Sequence, residues 1–232
     1  MKTMSRTELS AIQNDVVGCR ICPRLVEHRE DMAMLKTKRF AEEDYWGRPV
    51  PAFGDPSAEL LIIGLAPAAH GANRTGRMFT GDRSSDWLFE AMHKFGFASQ
   101  PTSVSIDDGL QLTNAYITAV VRCAPPANKP IRTEIEACQT YLLRELEAFR
   151  NLRVVVALGK IGFDGFLAAW VRTGAEVSKP RPKFAHLAHY QLAEELNLIA
   201  SYHPSQQNTF TGRLTRQMFH AVFRETQKLL RD

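Results

Sequence analysis

Leu60-Leu61-Ile62-Ile63-Gly64-Leu65-Ala66-Pro67-Ala68-Ala69-His70-Gly71 is the stretch on which the fold turns. Four apolar residues run without a polar interruption and end at a glycine, followed by a loop of small residues and a proline. A continuous apolar run of this kind suits a parallel strand covered on both faces. Leu112–Val121, Val154–Leu158 and Leu198–Tyr202 repeat the pattern, and helical patterns lie between them. Trp87, Leu88, Ala91, Met92 and Phe95 share one helical face, with Ser84 or Ser85 as cap and Gly96 as stop. Pro130 is read as opening a second helix, with Ile135, Leu142 and Leu146 on one face. Ile161–Val171 and Leu214–Leu230 supply two more, and Thr7–Val17 forms a first one ahead of Cys19. Alternating strands and helices predict an open parallel α/β sheet with helices on both faces, in a single domain over residues 1–232. Ligands of such sheets bind beyond the carboxyl ends of the strands, so the loops after Gly64 and Tyr202 form the candidate site.

The composition excludes several classes. With 44% hydrophobic and 23% charged residues the chain is an ordinary globular one rather than disordered or membrane-embedded. No run reaches the roughly 18 apolar residues of a membrane span, and MKTMSRTELSAIQ lacks an apolar leader core. A cytoplasmic protein with no membrane partner is expected. A net charge of +4 tolerates a polyanionic partner without requiring one.

Four cysteines are present: Cys19 and Cys22 as C-x2-C, then Cys123 and Cys138 as C-x14-C. In a reducing compartment a metal or redox role is the better reading than disulfides. Four thiolates suit zinc or a cubane cluster. The second half is no zinc knuckle, and Pro23 follows Cys22 as a proline follows a ligand cysteine in some ferredoxins, which puts iron–sulfur ahead of zinc. The alternative of four unrelated buried thiols would use every cysteine in the chain by coincidence.

The loops carry the remaining candidates. Gly64, Ala66 and Ala68 would let a ligand approach the backbone closely. Phe79, in an Arg-flanked, glycine-rich segment (Arg74–Asp82), could stack on a base. Asp82 could cap the following helix and also stay ionised there, facing positive charge. His203 closes the last strand and reads as functional or as a satisfied structural histidine. Asn114 is costly to bury unless its amide is fully bonded, to ligand or to protein.

Together these motifs resemble the uracil-DNA glycosylase superfamily, most closely its type B (family 5) members. GLAPAAHGANRTGRMFTGD over Gly64–Asp82, HPSQQN over His203–Asn208 with TFTGRLT following, LTNAYIT over Leu112–Thr118, VRCAPP over Val121–Pro126 and YWGRPVPAFGDP over Tyr45–Pro56 carry the resemblance. It implies a three-layer αβα sandwich around a four-stranded parallel sheet, a structural [4Fe–4S] cluster on Cys19, Cys22, Cys123 and Cys138, and monofunctional hydrolysis of the N-glycosidic bond in DNA containing uracil or other deaminated bases. By the same resemblance Phe79 stacks on the extruded base, Asn114 reads its edge, His203 faces the departing base and Asp82 is the catalytic carboxylate. Gly64, Ala66 and Ala68 line the base pocket. Residues 204–208, with Ser205, Gln206, Gln207 and Asn208, wedge into the duplex, and Arg213 contacts DNA. Other branches place an acid in the first motif where Leu65 and Ala66 stand, so Asp82 would substitute or leaving-group stabilisation would dominate. The chain is expected to be monomeric. The competing reading is a non-catalytic iron–sulfur protein that binds DNA lesions on the same scaffold.

Overall fold

The computed structural model describes residues 2–231. The elements run α1 (Lys2–Val17), α2 (Pro23–Leu35), β1 (Phe53–Gly54), β2 (Leu60–Gly64), α3 (Ala72–Thr75), α4 (Arg83–Lys94), β3 (Ala115–Ala119), α5 (Arg132–Ala148), β4 (Val154–Leu158), α6 (Lys160–Arg172), β5 (His189–Gln191), β6 (Asn197–Ser201), α7 (Gln206–Phe210) and α8 (Arg216–Arg231). The sheet order is β1-β3-β2-β4-β6-β5. The four inner strands are parallel, as the apolar runs require, but the sheet has six strands rather than four. β1 and β5 add antiparallel to β3 and β6. Both are too short, and β5 too polar and exposed, to leave an apolar run in the sequence.

The inner strands are buried throughout, apart from Asn197 at the start of β6, and divide their side chains between two layers. Leu61, Ile63, Tyr116, Val155, Ala157, Leu198 and Ala200 face a core shared with Leu9, Ile12, Val16, Leu142, Phe163 and Phe166 of α1, α5 and α6. Leu60, Ile62, Ile117, Val154, Val156 and Ile199 face Leu88, Met92, Phe219 and Phe223 of α4 and α8. Each such aromatic or aliphatic side chain contributes about 1.5–3 kcal/mol by leaving water.

Two helix starts differ from the sequence reading. Pro130 lies outside α5, whose cap is Ile131, with Glu134 Oε2 accepting the Ile131 N–H at 2.8 Å. Pro23, read as a ferredoxin-like neighbour of a ligand, occupies the first turn of α2, where its missing N–H costs nothing. No described helix is long and apolar enough to cross a membrane.

Candidate active site and a cysteine-lined cavity

β2, β3, β4 and β6 all point their carboxyl ends at one edge, where a cleft of about 580 Å³ opens. Its walls come from the loop after β2 (Leu65, Ala66, Pro67, Ala68), the segment before α4 (Met78, Phe79, Asp82), the turn after β3 (Ala127, Asn128) and the chain after β6 (His203, Ser205, Gln206, Gln207). That volume lies within the range of small-ligand sites.

Phe79 is held there by its neighbours. Arg77, buried, pairs with Asp108 at 2.7 Å and donates to Ser103 Oγ at 2.7 Å and to Thr80 Oγ1 at 3.0 Å. Thr80 Oγ1 meets Ser103 Oγ at 2.6 Å, and the Gly81 N–H donates to the Ser103 carbonyl at 2.9 Å. So clamped, Phe79 adopts φ 51°, a left-handed conformation that an aromatic residue takes only when its surroundings impose it. Its ring lies on the β2 end: a Cβ at Gly64 would stand 2.6 Å from Phe79 Cζ. Gly64 therefore makes room for Phe79 rather than for a ligand, and it does not line the cleft.

Asp82 caps α4, its Oδ1 accepting the Ser85 N–H at 3.0 Å. The cap therefore sits two to three residues before the serines favoured by the sequence. Oδ2 turns toward Gly71, where a Cβ would come within 2.5 Å of it. Burial raises the Asp82 pKa, against the N–H groups of Ser85 and Ser84 and the charge of Arg74, which lower it. Enclosure thus outweighs the helix end in setting the direction of the shift. His203 stacks near Phe79, centroids 5.9 Å apart and planes 28° off parallel. Burial lowers its pKa to about 4, so the imidazole is neutral at physiological pH.

Asn114 is not in the cleft. It precedes the first residue of β3, at the amino edge of the sheet, roughly 15 Å of strand from the carboxyl edge. Its Oδ1 accepts the Glu59 N–H at 2.8 Å and its Nδ2 donates to Glu59 Oε2 at 2.7 Å. This short polar side chain lets the backbone take φ 51° at the strand entrance. Asn128 is the amide that does line the cleft, in a tight turn after Pro125-Pro126 with φ 57°. Its signal in the sequence was its place beyond the carboxyl end of β3, which Asn114 lacks.

The segment expected as a wedging loop is the start of α7, with Ser205 as its cap. Gln206 and Gln207 are exposed at the cleft. Asn208 turns inward and donates to the His203 carbonyl at 2.8 Å. Asn208 and Arg213 border a second cavity of about 320 Å³ behind His203, and Arg213 lies over the Tyr202 ring at 4.7 Å. Arg74 and Arg77, the arginines flanking Phe79 in sequence, are buried; Arg74 pairs with Glu43 and donates to the His70 carbonyl at 2.9 Å and the Gly81 carbonyl at 3.2 Å. The cation at the cleft itself is Arg83, exposed and over the Phe210 ring at 4.3 Å.

In a separate cavity, Cys19, Cys22, Cys123 and Cys138 line the wall together with Leu25, Arg122 and Tyr141. Arg24 ties α2 to α5 there through Glu134 at 2.6 Å. Burial pushes the Cys123 thiol up to about 11 and the Cys138 thiol up to about 12, with Arg29 and Arg122 respectively opposing the rise. The Arg122 N–H also donates to Cys138 Sγ at 3.3 Å. Among the described residues no three His, Cys, Asp or Glu side chains form a group fit to hold a single metal ion. The donor set nevertheless fits a thiolate-bound group: four cysteines share one cavity, and buried arginine nitrogens beside them have no hydrogen-bond partner among the described residues.

A carboxylate, a neutral imidazole and an aromatic face around one cleft at the carboxyl edge of a parallel sheet define a site for a planar heterocycle. A model described as the uracil DNA glycosylase superfamily matches residues 51–227, and the chain belongs to that superfamily. It is 50% identical over 223 residues to the type-5 uracil-DNA glycosylase of Mycobacterium tuberculosis, covering 96% of this chain and 81% of that one. Its identity is 49% over 215 residues with the type-5 uracil-DNA glycosylase of Mycobacterium leprae (91% of each chain) and 48% over 219 residues with that of Thermus thermophilus (94% and 97%).

Proposed function

We propose that this chain is a DNA-repair glycosylase of the type-5 kind, which takes an extruded uracil into the cleft and hydrolyses its N-glycosidic bond. The observation that carries the reading is the convergence of Phe79 and Asp82, from the segment before α4, and His203, from the chain after β6, on one cleft. A base inside a duplex is out of reach, so it is flipped into a pocket. The Phe79 ring offers it a stacking face. Asn128, rather than Asn114, supplies an amide able to donate and accept along its edge. As the C1′–N bond breaks, its electron pair leaves with the base, and positive charge develops on the sugar. A neutral His203 N–H stabilises the departing anion, and the Asp82 carboxylate faces the sugar and takes the proton of the attacking water. The products are the free base and an abasic site.

Burial raises the Asp82 pKa, which makes this carboxylate a stronger base than an exposed one. Gln206, Gln207 and Ser205 form the DNA-facing rim, with Arg83 and the exposed Arg213 supplying charge for phosphates. Ala68 on the cleft wall leaves space beside the base, so deaminated purines such as hypoxanthine are proposed substrates too.

The four cysteines are proposed to hold a structural [4Fe–4S] cluster that fastens the N-terminal helices to α5. When bound, it supplies a cross-link and takes no part in the hydrolysis. A cytoplasmic, monomeric protein of one domain completes the reading, argued from cysteines that serve as metal ligands in a reducing compartment.

The experiment is abasic-site formation by anaerobically purified protein, with iron and sulfide analysis, on oligonucleotides carrying uracil or hypoxanthine in single and double strands. Cleavable product from uracil is expected. Lesion binding without product would establish the non-catalytic reading instead.

A further inference from the structure

We infer that Arg29 and Arg122 are the cysteine site's own counter-cations, placed to donate hydrogen bonds to its sulfurs, with Arg29 supplying the charge that nothing else neutralises. The inference rests on the cluster reading above and concerns this chain's residues toward that group.

Arg29 of α2 and Arg122 just after β3 are the two largest side chains among the fully buried ones, each 1% exposed. A guanidinium taken out of water is costly unless its charge is paired and its N–H groups are bonded. Arg122 has half of this. Its Nη2 donates to Glu145 Oε2 at 2.6 Å, and Glu145 itself is fully buried and further held by Thr118 Oγ1 at 2.7 Å and Gln13 Nε2 at 2.9 Å. Arg29 has almost none. Its nearest carboxylate, Glu30, is 3.5 Å away, exposed, and bonded to Arg20 at 2.5 Å. Its Nη2 otherwise reaches only the Cys19 carbonyl, at 3.4 Å.

What remains is specific. Nε and Nη1 of both arginines are buried without a hydrogen-bond partner among the described residues. Native proteins leave few such atoms, and each needs a cause. Both arginines lie against the cysteine site: Arg122 lines the cavity, and Arg29 reaches the Cys19 carbonyl with Nη2 at 3.4 Å. Four thiolates around a cubane leave a net negative charge, and sulfurs of such clusters accept N–H bonds that tune the cluster's potential. The weakly paired cation and the idle donors are complementary to that group. Arg122 with Glu145 is internally neutral, so Arg29 carries the compensation.

The test compares anaerobically purified wild type, Arg29→Met and Arg29→Lys in three readouts: iron and sulfide content, lifetime of the cluster absorbance under a chelator, and cluster reduction potential. Arg29→Met is expected to lose its cluster about tenfold faster or more, the loss of a charge-assisted hydrogen bond. Its potential moves negative, while Arg29→Lys, which keeps the charge, recovers most of both. An unchanged lifetime in Arg29→Met overturns the assignment. So does equal impairment of Met and Lys variants at unchanged potential, which would make Arg29 a packing residue. If Arg29→Met gives no soluble protein, Arg29→Gln takes its place, keeping donors without charge. Wild type lacking iron and sulfide overturns the cluster and this inference together, whereas a loaded wild type with indifferent variants overturns the arginine assignment alone.

Discussion

The imidazole of His203 and the ring of Phe79 stand 5.9 Å apart at 28°, although one follows β6 and the other precedes α4. The contact brings the proposed stacking face and the proposed N–H donor together in one cleft. His203→Ala is expected to lower the single-turnover rate about 100- to 1000-fold, the range for one lost donor to a developing anion. Affinity for abasic product should change far less, because the donor acts chiefly in the transition state. Equal losses in both would make His203 a positioning residue.

The same ring fixes a pH response. Its folded pKa is about 4, below the ordinary His value of 6.5, so the unfolded chain binds the extra proton first. The contribution to stability is complete above 6.5 and is lost as pH falls toward and through 4. The rate should show no inflection near 6.5 from His203. A melting-temperature profile of wild type against His203→Gln, converging as the acid side is approached, checks the sign.

Asp82→Asn keeps an oxygen for the Ser85 N–H, so α4 stays capped and the melting temperature holds. The excision rate is expected to collapse. Asp82→Ala should lose the rate and also about 0.5–2 kcal/mol of stability, read by denaturant titration. Retained activity in the asparagine variant would remove the carboxylate from the mechanism.

Asn114 and Asn128 exchange roles relative to the sequence reading. Asn114→Ala breaks two bonds to Glu59 and leaves an alanine at φ 51°, so it should destabilise the fold and spare the rate of the folded fraction. Asn128→Ala should do the reverse. Single-turnover rates on uracil, set beside unfolding midpoints, separate the two.

Ala68→Tyr places a ring on the cleft wall and should suppress hypoxanthine excision more than uracil excision. The comparison is one of rate ratios on matched oligonucleotides; a proportional loss on both substrates would refute the pocket argument.

Much of the architecture was legible because burial leaves a mark in composition. Leu60–Gly64 and Val154–Leu158 coincide with β2 and β4 to the residue, since strands covered on both faces are apolar throughout. β1 and β5 left no mark, because short edge strands are held by backbone bonds, which any side chain permits. The site divided along a similar line. Phe79, Asp82 and His203 lie beyond strand ends, where position in the chain implies position in space. Asn114 stands at a strand entrance, and residue type alone could not tell that end from the other. Arg77 was legible only as an arginine near Phe79, because its partners Ser103 and Asp108 lie too far along the chain for spacing to reveal.

The docking of α1 on α5 has a consequence for the order of synthesis. Gln13 donates to Glu145 across 132 positions, and Asp15 pairs with Arg144 at 2.7 Å. A ribosome adding about 5–20 residues per second therefore leaves the first helix without its dock for on the order of ten seconds. Throughout that interval Leu9, Ile12 and Val16, buried in the finished core, belong to an unshielded nascent segment. The first helix is thus made well before its dock and seated late.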